Sequence, residues 1–370
     1  MIRILHIMGC ADAGGISTVV RNYYQFMDRS KFHFDIALTV PGEGQNSRAL
    51  GDMGCQVYHI PMKGEDRQGF CRELTRLLKE GHYDGVHVHE SETSYVALRL
   101  AKKLGIPCRI AHAHTTSPYE GVRSVIRRLS GCMLNYPYAS RVIGCGQLAG
   151  ERIYGRLHMK GKRAAVLPNA VDLKRFSYDP EVRREMRREL CVEDRYVIGM
   201  VARLHEQKNI PFALELMRRL REKEPKAVLL IAGNGEDEQK ILTRIHEMKL
   251  EDTVKLLGRR SDVDRLYQAF DLFLLPSLYE GYPVSAVEAL ATGLPVLLST
   301  KITPELSRFQ GVTYLSLKDP EAWIRKLLEY RQDPQRGLRQ DDPRKAGLDI
   351  RDTAKLLEKI YEEDTGKREP

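Results

Sequence analysis

Long apolar runs are missing from this 370-residue sequence, so no segment has the length of a bilayer-spanning helix. Paired cysteines are missing too. The seven present are scattered without a C-x-x-C pair, which excludes a disulfide framework and a zinc knuckle and points to a reduced, cytosolic protein. The opening MIRILHIMG carries one arginine and no cleavage-site pattern, so it reads as a first strand rather than a signal peptide. There is no sequence repeat and no nucleophile elbow. There is also no P-loop around Gly161-Lys162, and no G-x-G-x-x-G with an acidic residue about 20 positions on. A dinucleotide cofactor is therefore disfavoured.

What is present suits two ordinary domains. Hydrophobic residues make up 42% and charged residues 29%, the balance of a globular protein too long for one core. The first half alternates strand-like runs (Ile2–Met8, Phe34–Thr39, Gln56–Ile60, Gly85–His89, Arg109–Ala113) with helical stretches, the first of them Ser17–Met27 with Ser17 as its candidate cap. The pattern breaks at VLPNAVDLKRF, residues 166–176, where the domain junction is placed. It then restarts with Tyr196–Val201, Ala227–Ala232, Val254–Leu257, Leu272–Leu275 and Val312–Leu315 as strands. Alternation of this kind implies parallel sheets covered by helices, with ligands beyond the C-terminal strand ends. Residues 332–345 read as a linker. A last amphipathic helix begins after Asp349, its expected cap.

The second half centres on PSLYEGYPVSAVEALATGLPVLLS, residues 276–299. Its short helix, opened by Pro283 and stopped by Thr292-Gly293, is apolar nearly all round, so it is expected to be buried. Yet it carries Glu288. A buried carboxylate is costly unless something polar meets it, and Glu280 beside the helix N-terminus makes a ligand the better reading. Arg203 and Lys208 follow the strand Tyr196–Val201 and are expected as buried cations converging on phosphate, though the spacing alone also fits two exposed cations on a turn. Gly233-Asn234-Gly235 is a tight turn where backbone can approach a ligand, or turn chemistry alone. Gly14-Gly15, before the first helix, suits substrate approach at a helix N-terminus. The histidines come as two H-x-H pairs, His87/His89 and His112/His114. Strand spacing puts each pair on one face, but without a third ligand a substrate contact by His114 fits better than a metal. An anionic ligand carrying hydroxyls, such as a nucleotide-sugar, fits these parts together.

The charge is uneven. Between residues 121 and 163 nine basic residues face Glu151 alone, nearly the whole excess of +9, interleaved with apolar and aromatic side chains. That mixture suits an anionic membrane surface, while nucleic acid would attract the same charge.

Taken in order, GGISTVVRNYY, AHAHTT, VLPNAVDLKRF, GMVARLHEQKN, LLIAGNGEDEQ and EGYPVSAVEALATGLPVLLS resemble the family 4 retaining glycosyltransferases, in particular their bacterial capsule and exopolysaccharide branch. Ala170 stands where that family often has glycine. The resemblance implies the GT-B fold, two Rossmann-like doubly wound domains facing across a cleft. An acceptor-binding domain would span residues 1–175, with a C-terminal helix 349–364 packed back onto it, and a nucleotide-sugar-binding domain residues 176–348.

It also implies roles. Gly15 would lie near the donor diphosphate and acceptor, and His114 over the donor sugar. Arg203 and Lys208 would neutralise the diphosphate, and loss of one buried cation such as Arg203 should cost on the order of 10²–10³ in rate. Glu280 would contact the transferred sugar and Glu288 the ribose. Tyr282 and Val284 would turn backbone N–H groups to the leaving phosphate, with Gly281 and Pro283 lining the donor beside them. Backbone near Gly258 and Arg259 would hold the base, and Gly233 would line the donor. The expected reaction moves a hexose or N-acetylhexosamine from a UDP-sugar to a hydroxyl of a lipid-linked glycan. It needs no divalent metal or other cofactor, and the protein is placed peripherally on the inner face of the membrane. The alternatives are a nucleotide-sugar epimerase or phosphorylase of the same architecture, and a basic membrane- or nucleic-acid-binding module. The last leaves the buried glutamate and the two cations unexplained.

Overall fold

The computed structural model describes residues 1–9, 15–40, 42, 44–89, 94–114, 131–332 and 347–366. The chain divides into two units, Met1–Ala170 with Asp349–Pro370, and Val171–Leu348. Both are parallel sheets with helices, the arrangement of a GT-B protein.

The first unit holds seven strands: β1 (Ile2–Met8), β2 (Phe32–Leu38), β3 (Val57–His59), β4 (Gly85–Val88), β5 (Cys108–Ala113), β6 (Arg141–Gly144) and β7 (Ala164–Val166). Their order is β3-β2-β1-β4-β5-β6-β7. One face of the central strands is apolar, and Leu5, Ile7, Phe70, Leu74, Val86 and Ala111 share one buried cluster there, while the other face carries buried His6, His87 and His112. The first helix begins at Gly15, so Ser17 sits inside its first turn, where its Oγ accepts from Asn46 Nδ2 at 2.9 Å instead of capping. The last helix, Ile350–Thr365, is capped by Asp349, whose carboxylate accepts from the Arg351 N–H. It belongs to this unit, anchored by Arg141 to Asp364 at 2.6 Å and by Tyr361 within the sheet's own polar centre.

The second unit holds β8 (Tyr196–Val201), β9 (Ala227–Ala232), β10 (Val254–Leu256), β11 (Leu272–Leu275), β12 (Val296–Ser299) and β13 (Val312–Leu315), ordered β10-β9-β8-β11-β12-β13. Its core packs Ile198, Leu214, Leu229, Leu272 and Trp323. The segment from Val171 packs here, with Arg175 paired to Asp264 at 2.5 Å and Phe176 edge-on to Tyr267. Among the described residues no helix is long and apolar enough to cross a membrane. Strand β6 has no counterpart in the sequence reading, and the linker assigned to residues 332–345 lies, Gln332 apart, outside the described residues.

Candidate functional site

In the second sheet the strand order reverses between β8 and β11, which is where ligands of open α/β sheets bind. The loops leaving both strands carry most of the residues singled out above, and backbone bonds tie them together. Leu278 N–H donates to Gln207 O at 2.8 Å, and Gln207 Nε2 donates to Tyr279 O at 2.9 Å. On the other side Leu204 N–H donates to Asn234 O at 2.9 Å, and Gly233 N–H donates to Gly258 O at 2.8 Å. Gly233, at φ +146°, has a packing reason to be glycine. A Cβ there would come within 1.9 Å of Ala202 O. The Gly-Asn-Gly turn is thus what lets the β8 and β9 loops touch.

Lys208 and Glu280 meet directly. Lys208 Nζ donates to Glu280 Oε1, which also accepts from Ser277 Oγ at 3.1 Å, and both side chains are mostly covered. Glu280 lies in a single parallel bridge to Ile302, four residues ahead of the helix Val284–Ala291. The expectation of a buried Arg203 is corrected. Its side chain is 64% exposed and reaches Glu236 at 2.8 Å, a carboxylate that also meets His205. Only Lys208 is a covered cation here, because it sits between the two stitched loops while Arg203 points off the β8 end.

The helix Val284–Ala291 opens on Pro283, whose ring has no polar atom, so its N-cap makes no side-chain hydrogen bond. Gly281 and Tyr282 just before it are buried, with Arg308 donating to the Tyr282 hydroxyl at 3.3 Å. Glu288 is 8% exposed, and the Tyr267 hydroxyl stands 2.9 Å from its Oε2. Burial raises the Tyr267 hydroxyl well above its ordinary value, so it remains a donor to the carboxylate. This tyrosine, 21 residues upstream, is the polar partner the sequence could not name. Gly258 turns at φ +63° and Arg259 beside it is exposed, while Arg260 is held by Asp262 at 2.6 Å.

The first unit carries the remaining candidates. Gly15 is exposed, with open space where a Cβ would stand, so no local packing demands glycine. Both H-x-H pairs do share a face. The rings of His87 and His89 stack at 4.4 Å and those of His112 and His114 lie 4.0 Å apart. His6 from β1 and Tyr361 from the last helix join them, and neither was visible as a partner from spacing. Two triplets, His6/His87/His89 and His89/His112/His114, bring ring nitrogens within 4.8 Å of one another. Those nitrogens are engaged with each other, at 2.8 to 3.1 Å, rather than splayed around a common centre. Burial pushes His6 down to about 3 and holds His87, His89 and His112 well below the usual imidazole range, so all four are neutral. Residues 90–93 and 115–130, which include Glu90 and the start of the basic segment, lie outside the described residues.

Comparison with known proteins covers both units. Residues 13–175 match the model described as Glycosyltransferase Family 4, and residues 182–337 that described as glycosyl transferases group 1. The chain is 32% identical to the putative glycosyltransferase EpsF of Bacillus subtilis, over 99% of this chain and 97% of that one. It is 27% identical to the UDP-Gal:alpha-D-GlcNAc-diphosphoundecaprenol alpha-1,3-galactosyltransferase of Escherichia coli, over 80% and 79% of the two chains. Among solved structures, HepE of Anabaena in complex with UDP-glucose has a TM-score of 0.75 at 18% identity, covering 99% of each chain. Its likeness is one of fold.

Proposed function

Because this chain belongs to the family 4 glycosyltransferases, we propose that it moves a hexose or N-acetylhexosamine from a UDP-sugar, with retention, to a hydroxyl of a lipid-linked glycan in surface polysaccharide synthesis. The observation that carries the donor reading is the covered Lys208–Glu280 pair next to an uncapped helix N-terminus at the strand-order reversal. A diphosphate is what a cation beside a helix N-terminus accepts best. The Escherichia coli relative, named for a UDP-sugar donor and a diphosphoundecaprenol acceptor, supports the choice of both substrates.

In this scheme the bond from the anomeric carbon to the diphosphate oxygen breaks, and its electron pair leaves with UDP. The acceptor oxygen forms the new bond on the same face, and its proton passes to the departing phosphate. Lys208 and the backbone N–H groups of Tyr282 and Val284 stabilise the charge that grows on the leaving group. Arg203 swings from Glu236 to add a second cation. Glu280, steadied by Ser277, reads a sugar hydroxyl, and Glu288, steadied by Tyr267, reads the ribose. His114 reads a substrate oxygen. No step calls on a divalent metal. The test is release of UDP from a UDP-sugar with and without a lipid-linked acceptor. Release that depends on acceptor, persists in EDTA and yields the donor's anomeric configuration is expected. Acceptor-independent conversion would instead mark an epimerase, and phosphate-dependent release a phosphorylase.

A peripheral membrane location is part of the same proposal. Within residues 131–163 the exposed side chains include Leu157 at 86% and Met133 at 69%, with Arg152, Arg156, Lys160 and Lys162 exposed among them. Two of the nine basic residues have other work: Arg141 pairs with Asp364, and Arg163 donates to Ala139 O at 2.9 Å across the Tyr136 ring. Apolar tips ringed by cations fit an anionic headgroup layer. The protein is expected to sediment with anionic vesicles at low salt and to be released as salt rises. Equal sedimentation with neutral vesicles would reject this placement.

A further inference from the structure

The buried histidines of the first unit form one unbroken line of hydrogen bonds. His112 Nδ1 lies 3.1 Å from His87 Nε2, and His87 Nδ1 lies 2.7 Å from the Tyr361 hydroxyl. That hydroxyl lies 3.4 Å from His6 Nε2, whose other nitrogen, Nδ1, lies 2.9 Å from His89 Nε2. His89 Nδ1 then lies 2.8 Å from His114 Nε2. At the far end His112 Nε2 is buried with no partner.

Each neutral imidazole has one N–H and one bare nitrogen, and a tyrosine hydroxyl donates once. Every link is made if all groups donate in the same direction, and there are two such directions; a third pattern, with His87 and His6 both donating to Tyr361, would leave the buried tyrosine O–H unmet. If the line runs toward His112, that residue ends it with an N–H buried and unmet. If it runs toward His114, His112 ends in a bare nitrogen instead. Orphaned buried N–H groups are the rarer outcome in folded proteins. The third pattern strands a buried donor in the same way, so the line is assigned toward His114. His114 closes the line at the strand end, partly exposed, where an N–H can still find an oxygen.

We infer that His89 is a positioning residue: its Nδ1–H, at the end of the line from His112, holds His114 as the Nδ1–H tautomer, a neutral hydrogen-bond donor to a substrate oxygen. This rests on the reading of His114 as a substrate contact. It makes His114 a reader of hydroxyl or carbonyl oxygen, not a proton carrier. Tyr361 links the last helix to that setting, since without its hydroxyl the line parts between His87 and His6.

The test uses the full chain labelled with 15N-histidine, with the His114 ring signals assigned by His114→Gln. In the wild type His114 is expected with Nδ1 protonated and Nε2 bare. His89→Leu removes the donor and should bring in the Nε2–H form. It should also lower kcat by roughly ten- to a hundredfold, as loss of a supporting partner does for metal-bound histidines. His89→Asn, whose amide can present an N–H where Nδ1 stood, should restore both. A wild-type His114 carrying its proton on Nε2 would overturn the proposed direction, even if His89→Leu fails to fold. A tautomer that changes in His89→Leu while kcat does not would instead remove His114 from substrate contact, and with it the role of His89 in the reaction.

Discussion

Replacing Lys208 with alanine is expected to lower turnover by about 10²–10³, the usual cost of removing one preorganised group that meets charge in the transition state. The reason is its cover. A cation only 17% exposed acts on a leaving phosphate with little water between them, whereas one in solvent is screened. The same cover complicates the experiment, because Lys208→Ala takes the cation from Glu280 at 11% exposure, and breaking a covered ion pair costs about 3–5 kcal/mol of stability. Lys208→Ala combined with Glu280→Gln removes that penalty, since the amide can still accept from Ser277. The double variant should regain stability over Lys208→Ala, and measured against Glu280→Gln alone it should still lose turnover by about 10²–10³. Turnover within a few-fold of Glu280→Gln would reduce Lys208 to a structural partner. Arg203→Ala should cost less, because Arg203 starts in solvent on Glu236.

Acid should unfold the first unit well before the second. His6, His87, His89 and His112 are neutral when folded, whereas in the unfolded chain each takes a proton near pH 6.5. A folded-state value below the unfolded one means that stability is full above about pH 7. It is lost as pH falls through 6.5 toward the folded value, about 3 for His6. At pH 5.5, about one unit below the unfolded value, each group costs on the order of 1 kcal/mol and the four together several kcal/mol, comparable with the whole stability of a typical domain. None of the four lies in the second unit, which holds the chain's single tryptophan, Trp323, fully buried. Between pH 6 and 5 far-UV circular dichroism should therefore lose the first unit's helices while Trp323 fluorescence holds. Coincident loss of both signals, or no loss above pH 4, would contradict neutral burial of the four rings.

Much of the second unit was legible from sequence, because its strands are continuous apolar runs bounded by turns. Tyr196–Val201, Ala227–Ala232, Leu272–Leu275 and Val312–Leu315 fall where expected. Strand β6 was not legible. Its four residues RVIG sit inside the basic segment, too short for a period to show. The E-x7-E spacing pointed to the site, but what holds each glutamate came from elsewhere in the chain. Lys208 is 72 residues from Glu280, and Tyr267 lies on a neighbouring helix. The H-x-H pairs were legible as a shared face. Their joining through His6 and Tyr361 was not, since it follows from β1 pairing with β4 and from a helix 274 residues beyond His87. Arg203 and Lys208 looked alike as cations after a strand. Only the folded loops separate the covered one from the exposed one.

The central claim, a nucleotide-sugar held at the β8/β11 reversal of the second unit, is tested most directly by a thermal-shift panel of UDP-, GDP- and ADP-sugars read through Trp323 fluorescence. Ligand at about a hundred times its dissociation constant stabilises the folded state by about 2.7 kcal/mol. A UDP-sugar is expected to raise the Trp323 transition by several degrees, and Glu288→Gln to weaken that rise. A Trp323 transition that no nucleotide-sugar moves would contradict the account.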